Sequence, residues 1–201
     1  MFPAPFVVVI DANLLFRQAL RDTLLRAASV DLFQLRWSKD ILDEMERNLV
    51  STLRVSAIKA ARLREQMERA FPWAMVTGYK PIVASMPNHV KDRHVVAVAV
   101  RAGAQVIATA NIKDFKPIPS GIEAQTADVF LCNLFDLDSS ALIAVLVEQA
   151  EDLRNPPVSL TDLLEHLARH VPRFVGRVRE HIWAVEALAL PRRDSSPSGC
   201  S

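Results

Sequence analysis

Phe6 to Ile10 form an uninterrupted apolar run, Phe-Val-Val-Val-Ile, that stops on Asp11. A β-branched run without alternation predicts a strand buried on both faces, and so a parallel sheet covered by helices. Ala104 to Ala108 is a second such run. It follows a helical stretch that ends at Gly103 and leads into Thr109. Strands alternating with helices predict an α/β fold with a central parallel sheet in three layers, α/β/α. In such sheets ligands bind outside the carboxyl ends of the strands. Asp11 and the segment Thr109 to Asp114 both fall at that edge.

The chain has 201 residues, 50% hydrophobic and 23% charged, with a formal net charge of +1. Whole-chain charge therefore does not announce a nucleic-acid binder, and any basic footprint must be local. Cys132 lies in an apolar helical stretch and Cys200 in a Ser/Pro/Gly tail. No disulfide framework is implied, which fits a reducing cytoplasm. The first apolar run lacks a basic flank and is far shorter than the ~20 residues that span a bilayer, so no membrane partner is expected.

Helical spacing of Leu14, Leu15, Ala19, Leu20, Leu24 and Leu25 predicts one helix from about Asn13. Asp31 to Trp37 reads as a second strand. Ser38 reads as the N-cap of a helix whose apolar face is Ile41, Leu42, Met45 and Leu49, with Glu44 beside it. A charged helix from about Val55 to Phe71 ends at Pro72. Another starts near Asn88 to Asp92. Thr109 to Phe115 reads as a loop, Ile122 to Gln125 as a short strand, and Thr126 as a cap. Beyond Asp138 the chain reads as helical, with a capping box at Ser159 and Asp162. The expected organisation is a core domain over 1–137, a helical extension over 138–190 and a polar, disordered tail over 191–201.

Asp11, Glu44, Asp92 and Asp114 are the candidate catalytic and metal-binding residues. Each alone is consistent with capping or surface chemistry. Joined at one sheet edge they form a candidate site. Carboxylates in one pocket repel, and they stay ionised only with a cation among them; oxygen-only donors favour Mg²⁺ or Mn²⁺. One or two such ions would polarise a phosphoryl oxygen and activate water for in-line attack. Asn13 and Thr109 are suited to orienting the carboxylates. The chemistry expected is metal-dependent phosphodiester hydrolysis, with RNA as the favoured substrate.

Three strings carry a family resemblance: VVVIDAN, WSKDILDEM and KDRHVVAVAVRAGAQVIATANIKDF. Over about residues 6–135 they closely resemble the PIN-domain nucleases, and within them the VapC-type toxins of bacterial toxin–antitoxin pairs. The resemblance implies a PIN-like fold in which Asp11, Glu44, Asp92 and Asp114 bind metal and Asn13, Thr109 and Asn111 support them. Many relatives carry an acid where this chain has Asn111, which leaves open whether Asp114 or Asn111 completes the set. The resemblance also implies a dimeric Mg²⁺-dependent endoribonuclease of the cytoplasm, held inactive by a cognate antitoxin, and a C-terminal helical extension like that of longer VapC-like proteins.

RNA contact requires local positive charge. Arg54, Lys59, Arg62, Arg64 and Arg69 form one candidate basic face, and Arg93 and Lys113 flank two of the acids. Trp73 and Tyr79 are candidate stacking residues with packing as the competing role. His89 and His94 lie near Asp92, without the spacing of a zinc site. Other readings are a PIN-type nuclease of RNA maturation or DNA processing without a toxin role, and a degenerate PIN-like binding module. A phosphoaspartyl hydrolase fits poorly, because it needs a second acid where the chain has Asn13.

Overall fold

The computed structural model describes residues 6–154 and 156–189. Cys200, the tail from Pro191 and the break at Asn155 lie outside the described residues. Four strands run through the first part of the chain: β1 (Val7–Ile10), β2 (Gln34–Arg36), β3 (Val106–Ala108) and β4 (Glu123–Gln125). They form one sheet in the order β2-β1-β3-β4, with every pairing parallel. Val8, Val9, Ile10, Ile107 and Ala108 are fully buried, as the unbroken apolar runs require.

Nine α-helices lie among the described residues: α1 (Ala12–Leu15), α2 (Gln18–Ser29), α3 (Lys39–Leu53), α4 (Ala57–Ala70), α5 (Arg93–Ala102), α6 (Ala127–Leu137), α7 (Ser139–Asp152), α8 (Leu160–Ala168) and α9 (Pro172–Ala189). The mixed α/β architecture with a central parallel sheet is that of the expected PIN-like fold. Capping sets several starts. The Ser38 hydroxyl accepts from Ile41 N at 3.3 Å, Thr126 from Val129 N at 3.2 Å, and Ser159 and Asp162 form a reciprocal capping box. Gly103 ends α5 at φ 63°, a left-handed conformation that glycine adopts without a Cβ penalty.

Local structure departs from expectation in three places. The single helix expected from Asn13 breaks at Phe16 and Arg17, where Arg17 is extended. No proline or glycine causes this. The buried Arg21 guanidinium donates to Leu15 O at 2.8 Å, supplying a partner for a carbonyl at the end of α1. Second, the expected loop at Thr109 to Phe115 contains a 3-10 turn, Ile112–Phe115, anchored by the buried Phe115 ring. Third, Asp92 lies in a 3-10 turn, Val90–Asp92, and stands at the N-cap of α5 rather than inside the helix.

The C-terminal helices pack on the sheet domain of their own chain. Phe130 of α6 meets Phe33 edge-on at 5.1 Å and Phe6 at 6.3 Å. α7 lies along α2, joined by a buried polar contact: Thr23 Oγ1 donates to Gln149 Oε1 at 2.7 Å, and Gln149 Nε2 donates to Ala19 O at 3.0 Å. Pro172 opens α9 in the first helical position, where a missing N–H costs nothing. The Asp128 carboxylate of α6 accepts from Phe174 N at 2.9 Å and so caps α9 from outside. No single helix among the described residues is long and apolar enough to cross a membrane.

Candidate active site

β1 delivers Asp11 to the carboxyl edge of the sheet, and β3 delivers Thr109 beside it. Asp11 is 3% exposed and Thr109 is fully buried. Thr109 Oγ1 donates to Asp11 Oδ2 at 2.7 Å, and Asn13 Nδ2 donates to the same oxygen at 2.5 Å. Asn13 Nδ2 also reaches Thr109 Oγ1 at 3.0 Å, and Asn13 Oδ1 accepts from Ala110 N at 2.9 Å. Asn111 N donates to Thr109 Oγ1 at 3.2 Å. The Asp11 carboxylate is thus held by Asn13 of α1 and by Thr109 just past β3, with its orientation set before any ligand arrives.

Burial pushes the Asp11 carboxyl up to about 7, opposed by the Thr109 hydrogen bond and reinforced by the charges of Glu44 and Asp92. Asp92 is raised too, by burial and then by Asp114, while His94 and His89 pull it down. These interactions make the four acids one electrostatic neighbourhood, with Asp11 coupled to Glu44 and Asp92, and Asp92 to Asp114. They do not close into a single shell. Among the described residues no three His, Cys, Asp or Glu side chains are grouped so as to hold a metal ion.

Each outer acid has its own polar neighbour. Asn111 Nδ2 donates to Asp114, so the residue that replaces the acid of many relatives restrains the nearby acid. His89 Nδ1 stands 3.7 Å from Asp92 Oδ2. His94 Nε2 stands 3.6 Å from Glu44 Oε2 and has no hydrogen-bond partner, while its Nδ1 lies 2.9 Å from Lys91 O. The packing of α3 against α5 creates the His94 and Glu44 pairing, which no local spacing announces. Asp40, Asp43, Arg47 and Lys91 join these two residues around a polar cleft of about 520 Å³.

The expected RNA-contacting cations divide into two sets. Arg54, Lys59, Arg62, Arg69 and Lys113 are exposed. Arg64 instead joins α4 to α3: its guanidinium meets Asp43 at 2.5 Å, Glu46 at 3.3 Å and Glu68 at 3.0 Å. Arg93 donates through Nε to Asn88 O at 3.1 Å. Tyr79 is buried, in keeping with the packing role, whereas Trp73 is 62% exposed and meets the Phe71 ring edge-on at 6.0 Å.

An all-parallel sheet with Asp11 at the carboxyl end of β1 and Asp114 in the segment after β3 is an α/β architecture consistent with a PIN-like fold. Residues 127–180, from the start of α6 into α9, match the family described as VapC50 C-terminal domain. The chain is also similar to a Mycobacterium tuberculosis protein described as "Putative ribonuclease VapC50", with 39% identity over 109 residues, 53% of this chain and 64% of that protein. The chain thus spans less than two thirds of the length of the curated relative it matches. No solved structure matches. The likeness to VapC-type PIN proteins with a C-terminal helical extension holds.

Proposed function

We propose that this chain is a Mg²⁺- or Mn²⁺-dependent endoribonuclease and the toxin of a bacterial type II toxin–antitoxin pair. The observation that carries the reading is the buried Asp11 carboxylate, pre-oriented by Asn13 and Thr109 and raised by burial beside Glu44 and Asp92. A buried carboxylate with acidic neighbours is costly unless a cation offsets it. The donors are all oxygen, the chemistry that suits a hard divalent ion. Asp11, Glu44 and Asp92, which form no closed shell by themselves, would have to draw together to hold it, with Asp114 as the fourth acid steadied by Asn111. When bound, the ion supplies an activated water and neutralises charge at the phosphoryl oxygen.

The residues of the chain do the positioning. Asn13 and Thr109 keep one Asp11 oxygen fixed and so aim the other. His89 and His94 moderate the charge on Asp92. Exposed Lys113, next to Asp114 in sequence, and the exposed cations of α4 would meet the phosphate backbone. The relative's name, which describes a ribonuclease, supports RNA as substrate. A homodimer, a cognate antitoxin and a cytoplasmic location complete the proposal.

Cleavage of RNA by the purified chain tests it. Activity should require Mg²⁺ or Mn²⁺, stop with EDTA and disappear in Asp92→Asn. Equal cleavage by parent and variant rejects the proposed site. In a bacterial host the parent should arrest growth and Asp92→Asn should not. RNA cleavage without growth arrest would favour a processing nuclease instead. A folded chain that neither binds Mn²⁺ nor cuts RNA would be a binding module.

A further inference from the structure

Most arginine clusters that cross between elements are neutralised. Arg26 meets Asp22, Glu148 and Asp152; Arg64 meets Asp43, Glu46 and Glu68; Arg177 meets Asp136. The corner between α1 and α2 is different. There Arg17 and Phe16 face the end of α8, and with Leu53, His166, Arg169 and His170 they line a cleft of about 390 Å³. No Asp or Glu lines it, and among the described residues no carboxylate pairs with Arg17 or Arg169. Arg17 Nη1 instead lies 2.7 Å from His170 Nδ1, which requires that nitrogen to present its lone pair. Arg17 also stands over the Phe16 ring at 5.5 Å.

Two guanidinium groups held in a concavity without a counter-charge are an electrostatic demand for an anion. Position names the anion. Leu53, on the wall of the cleft, lies nine residues beyond Glu44 on the unbroken helix α3, about 13.5 Å at 1.5 Å per residue. That is of the order of one or two nucleotide steps from the acids. The opposite wall is supplied by α8, a part of the helical extension.

We propose that this cleft is a subsite for the RNA phosphodiester backbone flanking the cut, and that the C-terminal extension completes it through Arg169 and His170. The extension therefore acts as a wall of the substrate channel in addition to covering α2. The inference rests on the ribonuclease reading above. Arg17 supplies a fixed fork held by His170 and Phe16, and Arg169 a second cation from the other side. Leu53 and Phe16 offer apolar surface beneath the sugar or base.

The full-length chain carrying Asp92→Asn, in EDTA, is titrated with a fluorescent single-stranded RNA at several salt concentrations. Arg169→Glu, whose side chain has no partner among the described residues, and Arg17→Ala are then added singly and together. Removing one arginine–phosphate pairing should flatten the slope of log K against log salt by about 0.7. The pair should bind roughly ten-fold more weakly and reduce the slope by about 1.4. Circular dichroism and thermal melting check the fold, and Arg169→Lys should retain binding. Unchanged affinity and slope in folded Arg169→Glu overturns the subsite. In parallel the chain with Asp92 intact is assayed for cleavage. RNA binding that depends on Arg17 and Arg169 without any cleavage would sink the nuclease reading and leave the subsite standing. Cleavage with an unaffected Arg169→Glu would do the reverse.

Discussion

Thr109 Oγ1 and Asp11 Oδ2 meet at 2.7 Å across 98 residues of sequence, and that hydrogen bond joins the ends of β1 and β3 at the candidate site. The hydroxyl is fully used: it donates to Asp11 and accepts from Asn13 and Asn111. Thr109→Val keeps the shape and removes these bonds. It should cost about 1–3 kcal/mol of stability in denaturant titration, the usual penalty for stranding buried partners. RNA cleavage should fall by more than about ten-fold, since the carboxylate loses its orientation. Thr109→Ser should recover most of both. A Thr109→Val protein with parental cleavage would remove Thr109 from the site.

The pH dependence of stability follows from Asp11. Its folded value, about 7, lies above the ordinary 3.8, so the folded chain holds a proton that the unfolded chain has released between those values. Stability of the metal-free protein should therefore fall as pH rises from about 4 to about 7, by an amount on the order of 4 kcal/mol from this group. Thermal melts in EDTA at pH 5 and pH 8 measure it. Asp11→Asn should show a smaller drop, and Mg²⁺ or Mn²⁺ should raise the melting temperature of the parent more at pH 8 than at pH 5.

Thr23 and Gln149 couple α2 to α7 inside the protein. Thr23→Val strands the Gln149 carbonyl and should cost about 1–3 kcal/mol. In Gln149→Leu the Thr23 hydroxyl still has Ala19 O at 3.0 Å, so the loss should be smaller. The double variant should lose less than the two added together, as expected for residues in contact. Additive losses in chemical denaturation would mean the contact carries no coupling.

Among the α4 cations, Arg64 and its neighbours should separate in function. Arg64→Ala should lower stability by about 1 kcal/mol, less at high salt, because its ion pairs are only partly shielded from water. Arg62→Ala and Arg69→Ala should leave the melting temperature near parental and weaken RNA binding. Binding titrations beside thermal melts distinguish the two patterns, and the reverse assignment would place RNA on the opposite face of α4.

Much of the fold was legible because its signals are local. The runs ending at Ile10 and Ala108 became the two central strands, and Ser38, Thr126 and Ser159 became caps, since a hydroxyl finds its amide within one turn. The break between α1 and α2 was not legible, because Arg21 reaching back to Leu15 O is a packing outcome without a proline or glycine to mark it. The Asp92 turn was likewise read as helix, its polar residues being equally at home in a first turn. Asp11, Asn13 and Thr109 could be grouped from strand ends alone. The partner His94 for Glu44, fifty residues away in sequence and on another helix, could not.

By itself the sequence determined which segments must be buried, and with them the parallel sheet and the edge where Asp11 and Thr109 emerge. That follows because desolvation of apolar side chains depends on composition and period, both of which are local properties of the chain. Only the tertiary structure decided which charges cancel: Arg64 against Asp43, Arg26 against Asp152, and Arg17 left beside His170 with no ion-pair partner among the described residues. Coulomb energies depend on distances between residues remote in sequence and on the water left between them, and those exist only once the helices have packed.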